Sequence, residues 1–191
     1  MKIIIRTNVL KAHLQTVSKL KSRAELQTVL FNDEHAWSGD GKVMMRTPKQ
    51  GAFIAEKSGS VLVKFDQFSM PAGCESAVVD TDTGCVYLLK SSYSHVEPLP
   101  NELHKYAARI AKVSVVDICY PDVSRLSHTR GSVSDIAVMS CNLEKIHKVA
   151  RALAGQSKAV DISFQKGKQS TFMATIKHGF AVCEMFVKVA K

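Results

Sequence analysis

Nine lysine and arginine side chains recur at helical spacing in three separate segments of the chain, and their chemistry suits the binding of phosphate groups. These residues are Lys11, Lys19 and Arg23 in the first segment, Lys105, Arg109 and Lys112 in the second, and Lys145, Lys148 and Arg151 in the third. Long cationic side chains neutralise the phosphates of a nucleic acid without reading its base sequence. The pattern therefore favours a polyanionic partner such as the phosphate backbone of a nucleic acid. A solvated helix face is the plain alternative for each segment.

The first two basic segments read as amphipathic helices. Asn8 is a suitable N-cap, and apolar residues recur along one face over residues 9–21. The second helix is predicted over residues 101–113. In both segments the basic side chains fall opposite the apolar stripe, so the predicted helices would present them to solvent or to a ligand.

The third basic segment predicts another helix of the same kind. Asn142 is its expected cap, apolar residues recur over residues 143–153, and Gly155 is the glycine that ends it. His13 in the first helix and His147 in the third lie on or beside the helix faces. They are expected to be surface or flank residues and not ligands.

Short runs of β-branched and aromatic residues predict strands around these helices. The predicted strands are residues 2–7, 28–32, 42–47, 52–56, 61–65, 76–80, 85–90, 115–119, 134–140, 159–164, 171–176 and 181–188. Asp40-Gly41 marks a tight hairpin, since glycine supports the positive φ of such a turn. Residues 123–133 are polar and basic and are expected to form a loop. The predicted fold class is α+β, with helices packed on antiparallel sheet.

The two ends of the chain follow one plan: a strand, an asparagine cap, a basic amphipathic helix and then several antiparallel strands. Asn8 and Asn142 occupy matching places in this plan. A β-α-β-β-β unit used twice explains the pattern, and chance likeness of two amphipathic helices is the alternative. The expected division is a first half of residues 1–100 and a second half of residues 101–191, which could also pack as one pseudo-symmetric domain.

Composition and charge indicate a globular protein with a polyanionic partner. The 191 residues are 46% hydrophobic and 23% charged, which excludes disorder throughout, and 26 Lys and Arg against 17 Asp and Glu give a net charge of +9. An anionic membrane surface would also suit that charge. However, every apolar run is far shorter than the ~20 residues of a membrane span, and the apolar stretch at the start is too short for a signal peptide. Five widely spaced cysteines suit reduced thiols, so we expect a cytoplasmic protein without a membrane partner.

The sequence contains no familiar motif for catalysis or for holding a cofactor. It has no Gly-x-x-x-x-Gly-Lys phosphate loop, no Gly-x-Ser-x-Gly elbow, and no Cys-x-x-Cys or His-Glu-x-x-His metal pair. Asp80 and Asp82 could hold a divalent ion in a nuclease, but turn chemistry is the favoured interpretation. Trp37 and Phe31 could stack a base, but Trp37 is more typical of a half-buried core, and Cys119 is also expected in the core. We therefore expect no catalytic residues, no cofactor and no metal.

The repeated unit with its basic helices resembles the DNA sliding clamp fold, and most closely the bacterial DNA polymerase III beta subunit. Three segments carry the likeness: the leading strand of residues 1–5, the run Tyr120-Pro121-Asp122, and residues 142–164. Residues 182–189 take the place of the closing strand of that family, without its Met-Pro pattern. The likeness covers residues 1–47 and 118–189.

The resemblance implies a DNA-clamp-like fold and a non-catalytic scaffold or processivity factor in DNA replication, recombination or repair. The implied partners are duplex DNA, further copies of the chain and replication or repair proteins. Because the chain is about half as long as a bacterial clamp, a ring would need several copies. Two alternatives stay open: a general nucleic-acid-binding module, and a protein-interaction factor of mobile-element, phage-like origin that targets host replication proteins.

Overall fold

The computed structural model of the protein describes residues 1–20, 22–66, 69–92, 99, 102–123, 126, 128–132, 139–155, 159–167 and 171–188. Its helices are α1 (Thr7–Thr16), α2 (Leu103–Tyr106) and α3 (Ser140–Ala154), with a 3-10 turn at Ala24–Gln27. The strands are β1 (Lys2–Arg6), β2 (Thr28–Phe31), β3 (His35–Gly39), β4 (Val43–Pro48), β5 (Phe53–Ala55), β6 (Val61–Phe65), β7 (Ser76–Asp80), β8 (Cys85–Leu89), β9 (Ala107–Val115), β10 (His128–Ser132), β11 (Asp161–Gly167), β12 (Thr171–His178) and β13 (Ala181–Lys188).

The described strands form one antiparallel sheet, in the order β10-β11-β12-β13-β4-β3-β2-β6-β9-β8-β7-β1-β5. Strand β9 joins the two parts of this sheet. Its first residues pair with β8, where Lys112 lies opposite Cys85, and its last residues pair with β6, where Val115 lies opposite Val63. The predicted α+β class is therefore confirmed, as a mostly antiparallel sheet with few helices.

The main core lies between the sheet and the helices α1 and α3. Side chains alternate along a strand, so β1 turns Ile3 and Ile5 into this core. The helices contribute Val9 and Leu10 from α1 and Val149 from α3, all fully buried. Burial of a side chain of this size contributes about 1.5–3 kcal/mol each. The core draws on both expected halves of the chain.

Six strands of the sheet are arranged symmetrically about the boundary between β4 and β13. The order β11-β12-β13-β4-β3-β2 places β13 and β4 at the centre, with the strands that precede each of them in the chain lying outward. Across the boundary, Val43 pairs with Val187 and Arg46 with Glu184. A strand is also predicted before α3, at residues 134–140, and residues 134–138 of it lie outside the described part of the chain.

Two segments, one around α2 and one around Tyr120, cover the face of the sheet that lies opposite α1 and α3. Trp37, Met173 and Phe186 form a small cluster there, against which Tyr120 and Leu126 pack. A second cluster joins Val78, Leu89 and Leu103, so the segment around α2 covers β7 and β8. The helix pair and these coverings therefore lie on opposite faces of the sheet.

The helix predicted over residues 101–113 is wrong. One helical turn, α2, leads directly into the nine-residue strand β9. Between β6 and β8, β9 satisfies backbone hydrogen-bonding groups of both neighbours, and this outweighs a modest helix propensity. The burial follows strand alternation: Val113 is 6% exposed and Ile110 is 45% exposed. The strand predicted at residues 115–119 is also wrong, because β9 ends at Val115.

The two predicted asparagine caps are wrong, although the helices themselves are present. Helix α1 begins at Thr7 and α3 at Ser140, so Asn8 and Asn142 lie inside the first turn. The sequence pattern predicts Ser140 as the end of a strand, and the structure makes it the first residue of α3. Gly155 ends α3 as predicted, with φ +82°.

Helix α1 is shorter than its apolar pattern predicts. It ends at Thr16, and Val17 is already extended, at φ −61° and ψ 146°. The next amide, that of Ser18, donates to the carbonyl of Leu26 at 2.7 Å. Residues 17–20 therefore turn back toward the sheet, which removes Lys19 from the helix.

Most predicted strands are confirmed, including those at residues 61–65 and 76–80, which match β6 and β7 residue for residue. Strand β3 was not predicted, since Ala36, Ser38 and Gly39 give it little β-branched character. The loop predicted over residues 123–133 is wrong where β10 forms at its end.

Candidate nucleic-acid interface

The helices α1 and α3 pack side by side and run in opposite directions. Asn8, near the start of α1, donates from Nδ2 to the carbonyl of Leu153, near the end of α3, at 3.0 Å. Apolar positions at helical spacing, among them Ile146 and Val149, hold α3 against the core, while its polar side stays exposed. The two basic helices are thus brought together, although more than a hundred residues separate them in the chain.

An open groove of about 350 Å³ runs between the two helices. It is lined by Lys11, Gln15, Lys148, Arg151 and Ala152. Three of the nine predicted cations therefore share one surface. Lys148 and Arg151 are exposed and Lys11 is partly buried, so their charged groups border the same groove.

The groove has one acidic neighbour on α3. Glu144 accepts an ion pair from Lys148 at 2.6 Å, one helical turn away. This contact lowers the pKa of the exposed Glu144 carboxyl, first through its hydrogen bond and then through the charge of Lys148. An exposed pair of this kind contributes little to stability, so a phosphate can compete for the lysine.

Lys145, the third cation predicted on α3, pairs with a residue of the protein itself. Its ammonium group pairs with the carboxylate of Asp40 in the turn between β3 and β4. Partial burial lowers the pKa of Lys145, and the nearby charge of Lys148 lowers it further. The contact ties α3 to the first hairpin, which indicates a structural role for this lysine.

Lys19 and Arg23 are exposed on the segment that follows α1. The guanidinium of Arg23 lies over Gly41 in the turn between β3 and β4, where a side chain would collide with it. Both residues remain candidates for phosphate contact. They do not line the groove between α1 and α3.

The three cations predicted on the second helix do not share a helical face. Lys105 lies on α2 and pairs with Glu102 at 2.5 Å, while Arg109 donates to the hydroxyl of Ser69 at 2.6 Å. Lys112 lies on β9, where alternation turns it away from the face that carries buried Val113. A DNA-binding role for these three residues stays a prediction.

The expectation that His13 lies at the surface or flank is wrong. The imidazole is fully buried, with Nδ1 at 2.8 Å from the hydroxyl of Ser38 and Nε2 at 2.6 Å from that of Thr47. Burial lowers the pKa of His13 to about 3, so the ring is neutral. The hydroxyl of Thr16 also contacts that of Ser38. His147, by contrast, is exposed as predicted.

The aspartates considered for a metal site have structural partners instead. Asp80 accepts hydrogen bonds at Oδ1 from the amides of Asp82 and Thr83, at 3.0 and 3.4 Å, which is the expected turn chemistry. Asp82 pairs with the amino group of Met1 at 2.7 Å. Across the described residues, no group of three or more His, Cys, Asp or Glu side chains is arranged to hold a metal ion.

Trp37 lies in the core, as its favoured interpretation predicted, whereas Cys119 does not. Phe31 is fully buried and Trp37 is 4% exposed, so neither ring is open to a base. Cys119 is exposed, and its assignment to the core is therefore wrong. Its neighbour Tyr120 packs against the cluster of Trp37, Met173 and Phe186.

Sequence reasoning missed Phe180 and Arg6 as surface residues of interest. Phe180 follows Gly179 in a predicted turn, where an aromatic residue has no strand neighbour to cover it, and that was the available signal. The ring is 82% exposed, and the guanidinium carbon of Arg6 lies 6.0 Å from its centroid.

Two comparisons with known proteins find no relative of this chain. No protein-family model matches the chain, and a search of curated proteins finds no match. Within the described residues, none of the helices has the length and apolar character needed to cross a membrane.

Proposed function

We propose that this protein is a clamp-like, DNA-associated scaffold or processivity factor. It is non-catalytic and binds the phosphates of duplex DNA. The observation that carries the proposal is the groove between α1 and α3, in which Lys11, Lys148 and Arg151 meet. These cations come from the two ends of the chain and from the two helices that occupy matching places in its pattern.

Phosphate binding follows from the form of these side chains. All three are long and flexible, and Glu144, the one acidic residue of α3, pairs with Lys148. Mobile cations without a fixed register suit the uniform DNA backbone and carry no base readout. Such contacts release counterions, so affinity should fall steeply as salt rises.

The sheet supports the clamp-like part of the proposal. The symmetric strand order around β4 and β13, with α1 and α3 side by side on one face, is the arrangement that a twice-used β-α-β-β-β unit would produce. The described sheet has β5 at one edge and β10 at the other. We include self-association in the proposal because one short chain cannot encircle a duplex.

Cytoplasmic location is also part of the proposal. All five cysteines are free thiols, two of them buried, as suits a reducing compartment. Replication or repair proteins remain the proposed partners.

The deciding experiment measures duplex affinity as a function of salt. Binding of a labelled duplex should weaken from about 50 to 200 mM salt, and Lys148→Gln together with Arg151→Gln should lower the salt slope by roughly one unit for each phosphate that is no longer neutralised. Lys57→Gln together with Lys90→Gln is the matched control, because it removes two exposed positive charges that do not line the groove. Equal effects of the groove variants and the control would reject the proposed surface, and binding without salt dependence would reject phosphate contact altogether.

A second candidate function is a protein-interaction factor, and a different surface favours it. An apolar groove of about 490 Å³ lies on the face of the sheet opposite α1 and α3. It is lined in part by Leu30, Val61, Val115, Ile118 and Tyr120. The Tyr120 hydroxyl is buried and has no hydrogen-bond partner among the described residues, and burial raises the pKa of this phenol. An extended apolar segment of a replication protein would fit against this lining. Ile118→Asp should then abolish binding of a purified replication protein, while Lys148→Gln should leave it intact.

A further inference from the structure

The tip of the hairpin between β12 and β13 carries Phe180, whose ring is 82% exposed. This is the largest exposed fraction among the large hydrophobic side chains of the described residues. A single exposed hydrophobic residue carries no meaning by itself. Its neighbours and its place relative to the basic groove decide whether it can bind a ligand.

A cation stands beside the exposed ring. The guanidinium carbon of Arg6 lies 6.0 Å from the centroid of Phe180, at the outer limit of a cation–π contact. Arg6 is exposed and forms no ion pair in the part of the chain that the structure describes. Lys177 is not counted with it, because β11 places Asp161 directly opposite. An open aromatic face next to an unpaired cation is the combination that takes up a base and its phosphate in single-stranded nucleic acid.

The backbone that carries the ring is held in place by its neighbours. His178 and Ala181 pair across the hairpin, and Gly179 adopts φ +57° in the turn. The turn before β5 lies alongside, since a Cβ atom added at Gly51 would meet the carbonyl oxygen of Phe180 at 3.4 Å. Since this backbone is already ordered, only the side-chain torsions of Phe180 lose freedom when a base stacks on the ring.

The tip lies at one end of the basic groove. Arg6 immediately precedes α1, and the hydrogen bond from Asn8 to Leu153 brings the end of α3 to the same end of α1. From there Lys11 and Arg151 lie within about one helical turn of that end along their helices. A duplex held along the groove would thus meet Arg6 and Phe180 where it leaves the helix pair.

We propose that Phe180 and Arg6 form a stacking site for an unpaired nucleotide at the end of a bound duplex. Bases inside a duplex are already stacked and closed to a side chain, so the ligand is a single-stranded overhang or gap. Phe180 stacks on the base, and Arg6 contacts the adjoining phosphate. This inference rests on the proposed function, because the groove holds the duplex part of the same ligand.

The test compares three labelled probes by fluorescence anisotropy: a blunt duplex, the same duplex with a thymidine overhang, and the duplex with an abasic overhang of equal length. The unaltered protein should bind the thymidine overhang about tenfold more tightly than either other probe, the scale of one base–aromatic stack. Phe180→Ala should remove this preference and leave affinity for the blunt duplex unchanged. Phe180→Trp should retain it.

Tyr106→Ala is the matched control, because Tyr106 is also an exposed aromatic residue, at 62% exposure, but lies on α2. It should not alter any of the three affinities. Equal binding of the thymidine and abasic overhangs, or a preference that survives Phe180→Ala, would overturn the stacking site while leaving duplex binding intact. Loss of salt-dependent binding to the blunt duplex is a separate result, which would instead reject the proposed function.

Discussion

Arg46 on β4 donates from Nε to the carboxylate of Glu184 on β13, although the two residues are 138 positions apart in the chain. The side chains are only 19% and 21% exposed. The guanidinium also lies 5.7 Å from the ring centroid of Trp37 and 5.1 Å from that of Phe186. One arginine therefore joins the central strands of the symmetric sheet by an ion pair and two aromatic contacts.

Loss of Arg46 should destabilise the fold more than loss of the charge on its partner. Arg46→Met removes both cation–π contacts and leaves Glu184 with a half-enclosed, unpaired carboxylate. We expect a cost of about 1–3 kcal/mol in the free energy of unfolding, measured by urea denaturation. Glu184→Gln keeps an oxygen acceptor for Nε and should cost less. A smaller loss in Arg46→Met than in Glu184→Gln would contradict this account of the boundary between β4 and β13.

The buried ring of His13 should make stability depend on pH. Its folded-state pKa is lowered to about 3 by burial, from an ordinary value of 6.5. Since the folded pKa lies below the unfolded one, this contribution is fully present above about pH 6.5 and is lost as pH falls toward 3. In that window the free energy of unfolding should drop by up to about 1.4 kcal/mol per pH unit from this residue alone.

Urea denaturation between pH 7.5 and 4.5 checks the His13 prediction, as these bounds cover roughly the upper part of the titration window. The variant His13→Gln should be less stable at neutral pH but should lose most of the acid-dependent slope. Exposed His147→Gln is the control and should retain the slope of the unaltered protein. A slope that persists in His13→Gln would assign the acid sensitivity to other groups.

The local pattern of the sequence predicted the outline of the fold but not its long-range partners. Apolar and β-branched residues at 61–65 and 76–80 gave the right strands because those segments are apolar enough to need a sheet. Ile110 and Val113 have the spacing of a helical stripe, and only the gap between β6 and β8 places their segment in a strand. Arg109 and Lys112 were therefore placed on a helix that does not exist.

The same distinction between local pattern and long-range contacts applies to the residues of the candidate site. Helical periodicity placed Lys11, Lys148 and Arg151 on polar helix faces, but nothing local in the sequence shows that the two helices meet. Nor does local pattern show that Lys145 is taken by Asp40, a partner from a distant hairpin. The burial of His13 depends on Ser38 and Thr47, which reach it from β3 and β4.

Lys145 and Lys148 should separate stability from binding, although they lie on the same helix. Lys145→Gln removes the partner of Asp40 and should lower the free energy of unfolding by about 1 kcal/mol, with little effect on duplex affinity. Lys148→Gln breaks an exposed pair, so it should leave stability almost unchanged and weaken duplex binding. Urea denaturation gives the stability of both variants, and fluorescence anisotropy gives their duplex affinity. A reversal would mean that Lys145, and not Lys148, meets the phosphates.

The end of α3 should depend on a conformation that glycine alone adopts readily. Gly155 has φ +82° and ψ −175°, which lies outside the left-handed helical region that asparagine tolerates. A Cβ atom added there would meet no other atom within 4 Å, so a substitution is penalised only through the backbone. Both Gly155→Ala and Gly155→Asn should therefore cost about 1–3 kcal/mol in the free energy of unfolding.

Gly59→Ala, also at a positive φ with open space around it, is a control in a loop that carries no helix. It should lose similar stability without loosening the end of α3, which amide hydrogen exchange at residues 151–155 would report. Rescue of the alanine variant's loss by asparagine would show that Gly155 is an ordinary left-handed helix end.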